Sequence, residues 1–160
     1  MRVISFAVIN GRFSDEFGKR GTEFLKEMPI YSIPFSMLDA PTDTKSFAFV
    51  LEDPDAVGGN FVHWLGANIQ KWNVEENESI NAKFIQGVND WYKCNLGISI
   101  AEATRYGGMA PPDKEHTYVL TVYALDSMLN IESSFKKEEL IEKMEGHILD
   151  MAQIKATYAN

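Results

Sequence analysis

Two histidines with chemically unusual neighbours are the first candidates for a functional site. His63 follows the segment EDPDAVGGNF at 52–61, which holds two aspartates and a Gly-Gly turn. His116 follows YGGMAPPDKE at 106–115, which combines conformationally free glycines with stiff prolines. Imidazole titrates near neutral pH, so histidines beside carboxylates can bind an anion or ligate a metal ion. A histidine that is simply packed in the core with one hydrogen bond is the competing interpretation.

Both histidines lie near the ends of predicted strands. Period-2 alternation places each of them on the same face as apolar residues that follow it: Leu65, Ala67 and Ile69 for His63, and Tyr118, Leu120 and Val122 for His116. A strand end with a loop beside it and apolar residues below it is typical of a pocket at the rim of a β-sandwich. We therefore expect the two histidines to converge at one end of the molecule, with Asp53 adjacent.

The elements that must position these residues are mainly strands. Alternating apolar residues predict strands at 2–9, 45–53, 61–69 and 117–125. The strand at 45–53 is apolar on both sides, which predicts burial on both faces. Long helical crossovers between strands are missing, so antiparallel pairing is favoured over a parallel sheet.

Helical spacing is predicted at two places. Over 135–154 the residues Leu140, Ile141, Met144, Ile148 and Met151 recur at helical spacing, which predicts a C-terminal helix capped by Ser133 or Ser134. His147 falls on the apolar face of that helix, where a structural role is expected. A weaker helix is predicted at 21–28. The fold class expected is mostly β: an antiparallel β-sandwich with peripheral helices, forming one domain over 1–160.

Composition and charge exclude several classes of partner. The 160 residues carry a net charge of −8, so no basic surface is expected for nucleic acid or for an anionic membrane. No apolar run approaches the roughly 18 residues of a membrane span, and the N-terminus reads as a strand instead of a signal peptide. The only cysteine, Cys94, permits no internal disulfide and favours a reducing compartment. A cytoplasmic location is expected.

Several segments resemble a known family. FVLEDPDA at 49–56, FVHWLGANI at 61–69 and YGGMAPPDKEHTYVLTVYALD at 106–126 resemble signature segments of the phosphatidylethanolamine-binding protein family. The similarity is greater to its bacterial and archaeal branch, the Raf-kinase-inhibitor-like proteins. The resemblance implies a large and a smaller antiparallel sheet packed together, and a small pocket at one end that holds phosphate-like anions.

Site residues follow from the matched positions. The resemblance implies ligand-binding roles for eight residues: Asp53, Asp55, His63, Gly108, Pro111, Pro112, His116 and Tyr118. This chain departs from the bacterial pattern at Met109 and Ala110, where Pro and Cys are common, and at Thr117, where Arg is usual. The segment at 92–105 is also longer than the pattern, which predicts a different rim or lid for the pocket.

Carboxylates cannot donate to phosphate oxygens, so the two aspartates need other roles. We expect Asp53 to accept a hydrogen bond from a ring N–H of His63 or His116, which orients the ring and favours its charged form. Asp55 is expected either to contact the ligand or to organise its own loop by Asx-type bonding. Cys94 has no neighbouring motif that would activate it as a nucleophile.

Two functions from different classes are compatible with these residues. The first is a binding protein without catalytic residues, cofactor or metal, which captures a small anionic or phosphorylated ligand or a phosphorylated protein surface. A kinase or a protease is the protein partner that the family resemblance implies. The alternative is a metal-dependent hydrolase or oxygenase that uses Asp53, His63 and His116. The resemblance also implies a symmetric homodimer.

Overall fold

The protein is built mainly of β-strands, and the computed structural model describes all of residues 1–160. The strands are β1 (Arg2–Ile4), β2 (Val8–Ile9), β3 (Arg12–Phe13), β4 (Phe24–Leu25), β5 (Met28–Pro29), β6 (Phe35–Leu38), β7 (Ser46–Asp53), β8 (Phe61–Ile69), β9 (Asn73–Val74), β10 (Ile85–Gln86), β11 (His116–Leu125) and β12 (Ile148–Tyr158). One α-helix, α1 (Lys137–Met144), and short 3-10 turns at Asp15–Phe17, Glu78–Asn81 and Asp90–Lys93 complete the fold. No helix is long and apolar enough to cross a bilayer.

Most of the strands belong to one large sheet. Its seven strands lie in the order β10-β8-β7-β11-β12-β3-β2, and every pairing is antiparallel except β12 with β3, which meet in parallel at Thr157 and Arg12. A three-stranded sheet, β1-β6-β9, and the β4-β5 hairpin lie outside it. The mostly β fold with a large and a smaller sheet is confirmed, and the single parallel pairing is an exception to the predicted antiparallel order.

Both faces of the large sheet are covered. Alternate residues of β7 point to opposite sides: Phe47, Phe49 and Leu51 join the core that the small sheet closes, while Ala48 and Val50 face the other side. The second side is covered by α1 and by the chain before it, through Leu129, Ile131, Phe135, Leu140 and Met144. The prediction that this strand is buried on both faces is confirmed.

The predicted strand at 2–9 is interrupted. β1 pairs with β6 in the small sheet, whereas β2 pairs with β3 in the large one. Between them the Ser5 hydroxyl accepts a hydrogen bond from the N–H of Ala7 at 3.1 Å, and Ala7 itself is buried. The apolar run therefore serves two sheets, which the alternation of its residues alone does not reveal.

The predicted C-terminal helix over 135–154 is wrong beyond Met144. The chain reverses at Gly146, whose φ of +81° is left-handed, and then runs as β12. Ile148 and Met151, predicted to face the core, are 46% and 48% exposed. The serine caps are also wrong, since the N-cap is Lys136. His147 lies in the reversal, not on a helix, where Nδ1 bonds Asp126 Oδ1 at 2.8 Å.

The weaker helix predicted at 21–28 is also wrong. Its residues form the β4-β5 hairpin, in which Lys26 and Glu27 have φ values of +46° and +72°. Positive φ at both central residues defines a type I′ turn, whose twist suits two antiparallel strands. Neither residue is a usual choice for that turn, so the sequence carries no local signal for it.

Candidate functional site

One cavity lies where the ends of β7, β8 and β11 meet. Its volume is about 240 Å³, and twelve residues line it: Asp53, Ala56, Val57, Phe61, His63, Trp91, Cys94, Ala110, Pro111, Pro112, His116 and Tyr118. Six of the eight residues predicted from the sequence are among them. Asp55 and Gly108 are not, and both instead support the loops that shape the cavity.

His116 begins β11 and is held between two carboxylates. Its Nδ1 lies 2.7 Å from Asp53 Oδ2, and its Nε2 lies 2.7 Å from Asp113 Oδ1. Burial lowers the pKa of His116, but the hydrogen bonds to Asp53 and Asp113 outweigh burial and leave this pKa above its ordinary value. An ionised carboxylate only accepts, so donation to both requires the doubly protonated imidazolium.

The two aspartates of the D-P-D segment have different tasks. Asp53 ends β7 buried, and its Oδ1 accepts the N–H of Asp55 at 2.9 Å, which makes an Asx turn. Asp55 is exposed, and its Oδ2 accepts the N–H of Thr117 at 3.0 Å, which ties the turn to β11. The expectation that Asp53 accepts from a histidine holds for His116. The expected Asx bond is made by Asp53 and not by Asp55.

A β-bulge in β8 aims His63 at the cavity. Leu51 pairs with Trp64 and Glu52 pairs with Val62, so His63 is an additional residue opposite β7. Its ring lies 4.8 Å from that of Phe61 and 5.2 Å from that of Tyr118, between centroids.

The bulge overturns the predicted grouping of His63 with Leu65 and Ala67. Those two residues belong to the core on the opposite side of the sheet, with Val62. The N–H of Val62 donates to Asp90 Oδ2 at 2.8 Å, so the 3-10 turn at Asp90–Lys93 holds the bulged strand in place. For His116, by contrast, the predicted face with Tyr118, Leu120 and Val122 agrees with their common core.

His63 is held as a neutral ring. Its Nδ1 lies 2.6 Å from the carbonyl oxygen of Gly107, which can only accept, so Nδ1 carries the hydrogen. The side chain is buried, and burial lowers the pKa of His63 despite the opposing effects of the Gly107 carbonyl and of Asp53. Nε2 has no hydrogen-bond partner in the chain, and the residue lines the cavity. The neutral ring therefore offers the cavity a bare acceptor.

The Gly-Gly pair of the second loop allows close packing. A Cβ on Gly107 would lie 2.3 Å from Trp91 Cδ1, and one on Gly108 would lie 2.4 Å from the carbonyl oxygen of Phe17. The N–H of Gly107 donates to the carbonyl of His63 at 2.9 Å. Trp91 Nε1 donates to the carbonyl of Gly108 at 3.2 Å. These contacts hold the Gly107–Gly108 loop and Trp91 in place against the bulge at His63.

Some lining residues were missed by sequence reasoning. Val57 and Phe61 line the cavity but were given no role, and neither was Asp113, which lies outside the lining and holds Nε2 of His116. Of the long segment at 92–105, Cys94 alone lines the cavity. Burial and the nearby Asp90 raise the pKa of Cys94, which keeps it a thiol and not a nucleophilic thiolate.

The three residues that depart from the family pattern, Met109, Ala110 and Thr117, occupy different places in the structure. Met109 is fully buried in the main core, and Ala110 lines the cavity. Thr117 is half-buried and contributes its N–H to Asp55. No lining residue is Lys or Arg.

The geometry does not support the metal-dependent alternative. No group of three His, Cys, Asp or Glu side chains is placed to hold a metal ion. Asp53, His63 and His116 are neighbours, but both ring nitrogens of His116 are engaged by carboxylates. A metal ion would have to displace one of these hydrogen bonds.

Comparisons with known proteins assign the family. A sequence model of the phosphatidylethanolamine-binding protein family matches residues 5–159. The chain is 34% identical over 156 residues to the uncharacterized protein YxkA of Bacillus subtilis, which covers 91% of this chain and 93% of that protein. It is 37% identical over 134 residues to a UPF0098 protein of Chlamydia muridarum, which covers 79% and 81% of the two chains. The chain therefore belongs to the phosphatidylethanolamine-binding protein family.

Solved structures agree with this assignment. The phosphatidylethanolamine-binding protein homologue CT736 from Chlamydia trachomatis superposes with a TM-score of 0.82 at 29% identity, covering 99% of this chain and 97% of that chain. YbcL of Escherichia coli superposes with a TM-score of 0.79 at 22% identity, covering 99% and 98% of the two chains, a similarity that shows the fold alone.

Proposed function

We propose that the protein is a binding protein that holds a small phosphate-like anion in this cavity without transforming it. The observation that carries the proposal is the convergence of His63, Asp53 and His116 on one cavity of about 240 Å³. That volume admits a phosphate-sized group with a short substituent, and aromatic and aliphatic side chains supply walls for the substituent. A phosphorylated small molecule, or a phosphorylated residue on a protein surface, is the ligand class that fits.

Two residues that line the cavity, Tyr118 and His63, can donate hydrogen bonds to the anion. Burial and the Asp53 carboxylate, to which the Tyr118 hydroxyl also hydrogen-bonds, raise the pKa of Tyr118, so the hydroxyl stays protonated and can turn from Asp53 to donate to the anion. His63 becomes a donor when Nε2 is protonated. The thiol of Cys94 has no adjacent base positioned to activate it by hydrogen bonding, since its one contact is a weak 4.0 Å approach to the carbonyl of Asp90. This arrangement supports binding over turnover.

Calorimetric titration with phenyl phosphate at pH 6 tests the proposal. Loss of the Tyr118 hydroxyl removes one hydrogen bond worth about 1 kcal/mol, so we expect Tyr118→Phe to weaken binding roughly 5-fold. The matched control is Tyr92→Phe, because Tyr92 does not line the cavity and should leave the affinity unchanged. Absence of binding at millimolar ligand, or equal loss in both variants, would refute the proposed function.

A further inference from the structure

We propose, building on the anion-binding function above, that the cavity takes up its anion together with one proton, which is shared between the anion and Nε2 of His63. His116 does not contact the anion and does not change its protonation state when the anion binds. The proton comes from solvent, or from the ligand itself, and lies between an anion oxygen and Nε2. Only bonds to this proton change, and the anion keeps all its other bonds.

The hydrogen-bond partner of His63 fixes which ring nitrogen carries the hydrogen. The 2.6 Å contact between Nδ1 and the Gly107 carbonyl assigns the ring hydrogen to Nδ1, so Nε2 of the neutral ring bears a lone pair. An unprotonated oxyanion placed against that lone pair would meet only repulsion. One proton between them converts the contact into a charge-assisted hydrogen bond, which is about twice as strong as a neutral one.

The cavity carries a net negative charge before the ligand arrives. Asp53 and Asp113 each contribute a negative charge, His116 as imidazolium contributes one positive charge, and His63 is neutral. The Tyr118 hydroxyl and the Cys94 thiol add no charge, because the pKa of each is raised. The set is therefore net negative, and an anion that entered alone would add to that charge. A proton that enters with the anion removes one unit of the repulsion.

The two histidines differ in whether a ring nitrogen is free to contact a ligand. Both N–H groups of His116 already donate to carboxylates at 2.7 Å, so it has no free donor for a ligand. Other groups that act on His63 are the carboxylates of Asp53 at the end of β7 and Asp90 in the 3-10 turn, both of which favour its protonation. His63 is thus a ligand-contacting residue, whereas His116 is a positioning residue that fixes Asp53.

Proton uptake makes the affinity for a constant-charge anion depend on pH. Sulfate cannot bring a proton near neutral pH, so it binds only as His63 becomes protonated. With the free-protein pKa of His63 at or below its ordinary value of 6.5, sulfate affinity should be between about 10-fold and about 100-fold higher at pH 5.5 than at pH 7.5. A phosphomonoester, whose second ionisation lies near pH 6, can carry the proton itself below that pH.

The test is calorimetry with sodium sulfate at pH 7.5 in two buffers that differ in protonation enthalpy. We expect uptake of about one proton per sulfate bound. His63→Gln, which keeps a neutral donor, should bind with no proton uptake and with equal affinity at pH 5.5 and pH 7.5. The matched control is His147→Gln, since His147 lies on the surface outside the cavity and should leave uptake unchanged.

The outcomes are distinguishable. Sulfate binding without proton uptake would overturn this inference and leave the anion-binding function standing. No binding of sulfate or of phenyl phosphate at either pH would overturn both. Uptake that persists in a folded His63→Gln variant would assign the proton to another group and refute the inference. Should that variant not fold, the Nε2 nitrogen shift of His63 in the unaltered protein decides: it must move to the protonated position on sulfate addition at pH 7.5, and a stationary shift refutes the inference.

Discussion

Within one cavity, His63 and His116 are driven toward opposite protonation states by their immediate partners. His116 is buried, but two carboxylates accept from its ring and keep the pKa of His116 raised. His63 is buried against aromatic rings, its nearest polar partners are the backbone groups of Gly107 and Gly108, and burial lowers the pKa of His63. The difference lies in whether a partner carries a full charge or only a dipole.

These opposite shifts predict a stability maximum near pH 6.5. His116 stabilises the fold fully below its unfolded pKa of about 6.5, and this contribution is lost as pH rises through its raised folded pKa. His63 acts in the opposite sense: the fold loses stability as pH falls below about 6.5 toward its lowered folded pKa. Each slope is at most about 1.4 kcal/mol per pH unit. Urea unfolding between pH 5.5 and pH 8.5 measures both.

Single substitutions assign the two slopes. We expect His63→Gln to remove the fall on the acid side and His116→Gln to remove the fall on the alkaline side. Three aspartates face these rings: Asp53, Asp90 and Asp113. They remain in both variants, so a difference between the two pH profiles comes from the substituted histidine. An acid-side fall of unchanged size in His63→Gln would show that another group is responsible for it.

At the scale of single elements, strands with strict alternation were predictable and their irregularities were not. β8 has the predicted bounds, Phe61–Ile69, because its apolar run follows the turn residues 58–60 and ends before the polar residues 70–71. The bulge at His63 depends on the register with β7 and on Asp90, a residue that is remote in sequence. Period-2 reasoning across that position therefore assigned Leu65 and Ala67 to the wrong face.

In the C-terminal segment the pattern predicted the wrong type of element, a helix where the structure has the strand β12. Helical spacing of Ile148 and Met151 was fortuitous, since the residues of β12 that pack against the main core are Ile154, Ala156 and Tyr158. Gly146 was the available stop signal. The motif residues Asp53, His63 and His116 were found from sequence, whereas Asp113 was missed because its role appears only through the imidazole that it holds.

The 3-10 turn at Asp90–Lys93 should control the bulge and, through it, the cavity. Asp90→Ala leaves the N–H of Val62 without its acceptor, a loss that typically costs about 1–3 kcal/mol, and it frees the strand that carries His63. We expect lower stability in urea unfolding and weaker phenyl phosphate binding. Lys93→Ala is the matched control, because it removes the ion pair to Asp90 Oδ1 at 3.1 Å and the contact of Lys93 with the Tyr92 ring but keeps the acceptor for Val62. Equal effects of the two substitutions would contradict a role for the Val62 contact.

At the scale of the whole molecule, β12 leaves part of the large sheet open. The N–H of Thr157 points away from β11 and donates to the carbonyl of Gly11 at 2.9 Å. Met151, Gln153 and Lys155 alternate in the same phase as Thr157 and therefore direct their backbone groups to the same edge, where the N–H of Met151 donates to its neighbour Asp150 Oδ1 at 2.8 Å. β3 meets β12 only at Thr157, so no strand pairs with this edge over 148–155. Open edges are surfaces on which another strand can add.

The homodimer predicted from sequence can use this edge. An antiparallel pairing of two β12 strands about Gln153 is self-complementary: Met151 of each copy faces Lys155 of the other, so no like charges oppose each other. Since the N–H of Gln153 points away from β11, Gln153→Pro removes an edge donor without breaking the ladder inside the chain. We expect the unaltered protein and Gln153→Ala to sediment as dimers of about twice the 18.1 kDa chain mass, and Gln153→Pro to sediment as a monomer at the same concentration. A dimer that survives Gln153→Pro would place the contact elsewhere, and a monomer in the unaltered protein at high micromolar concentration would refute self-association.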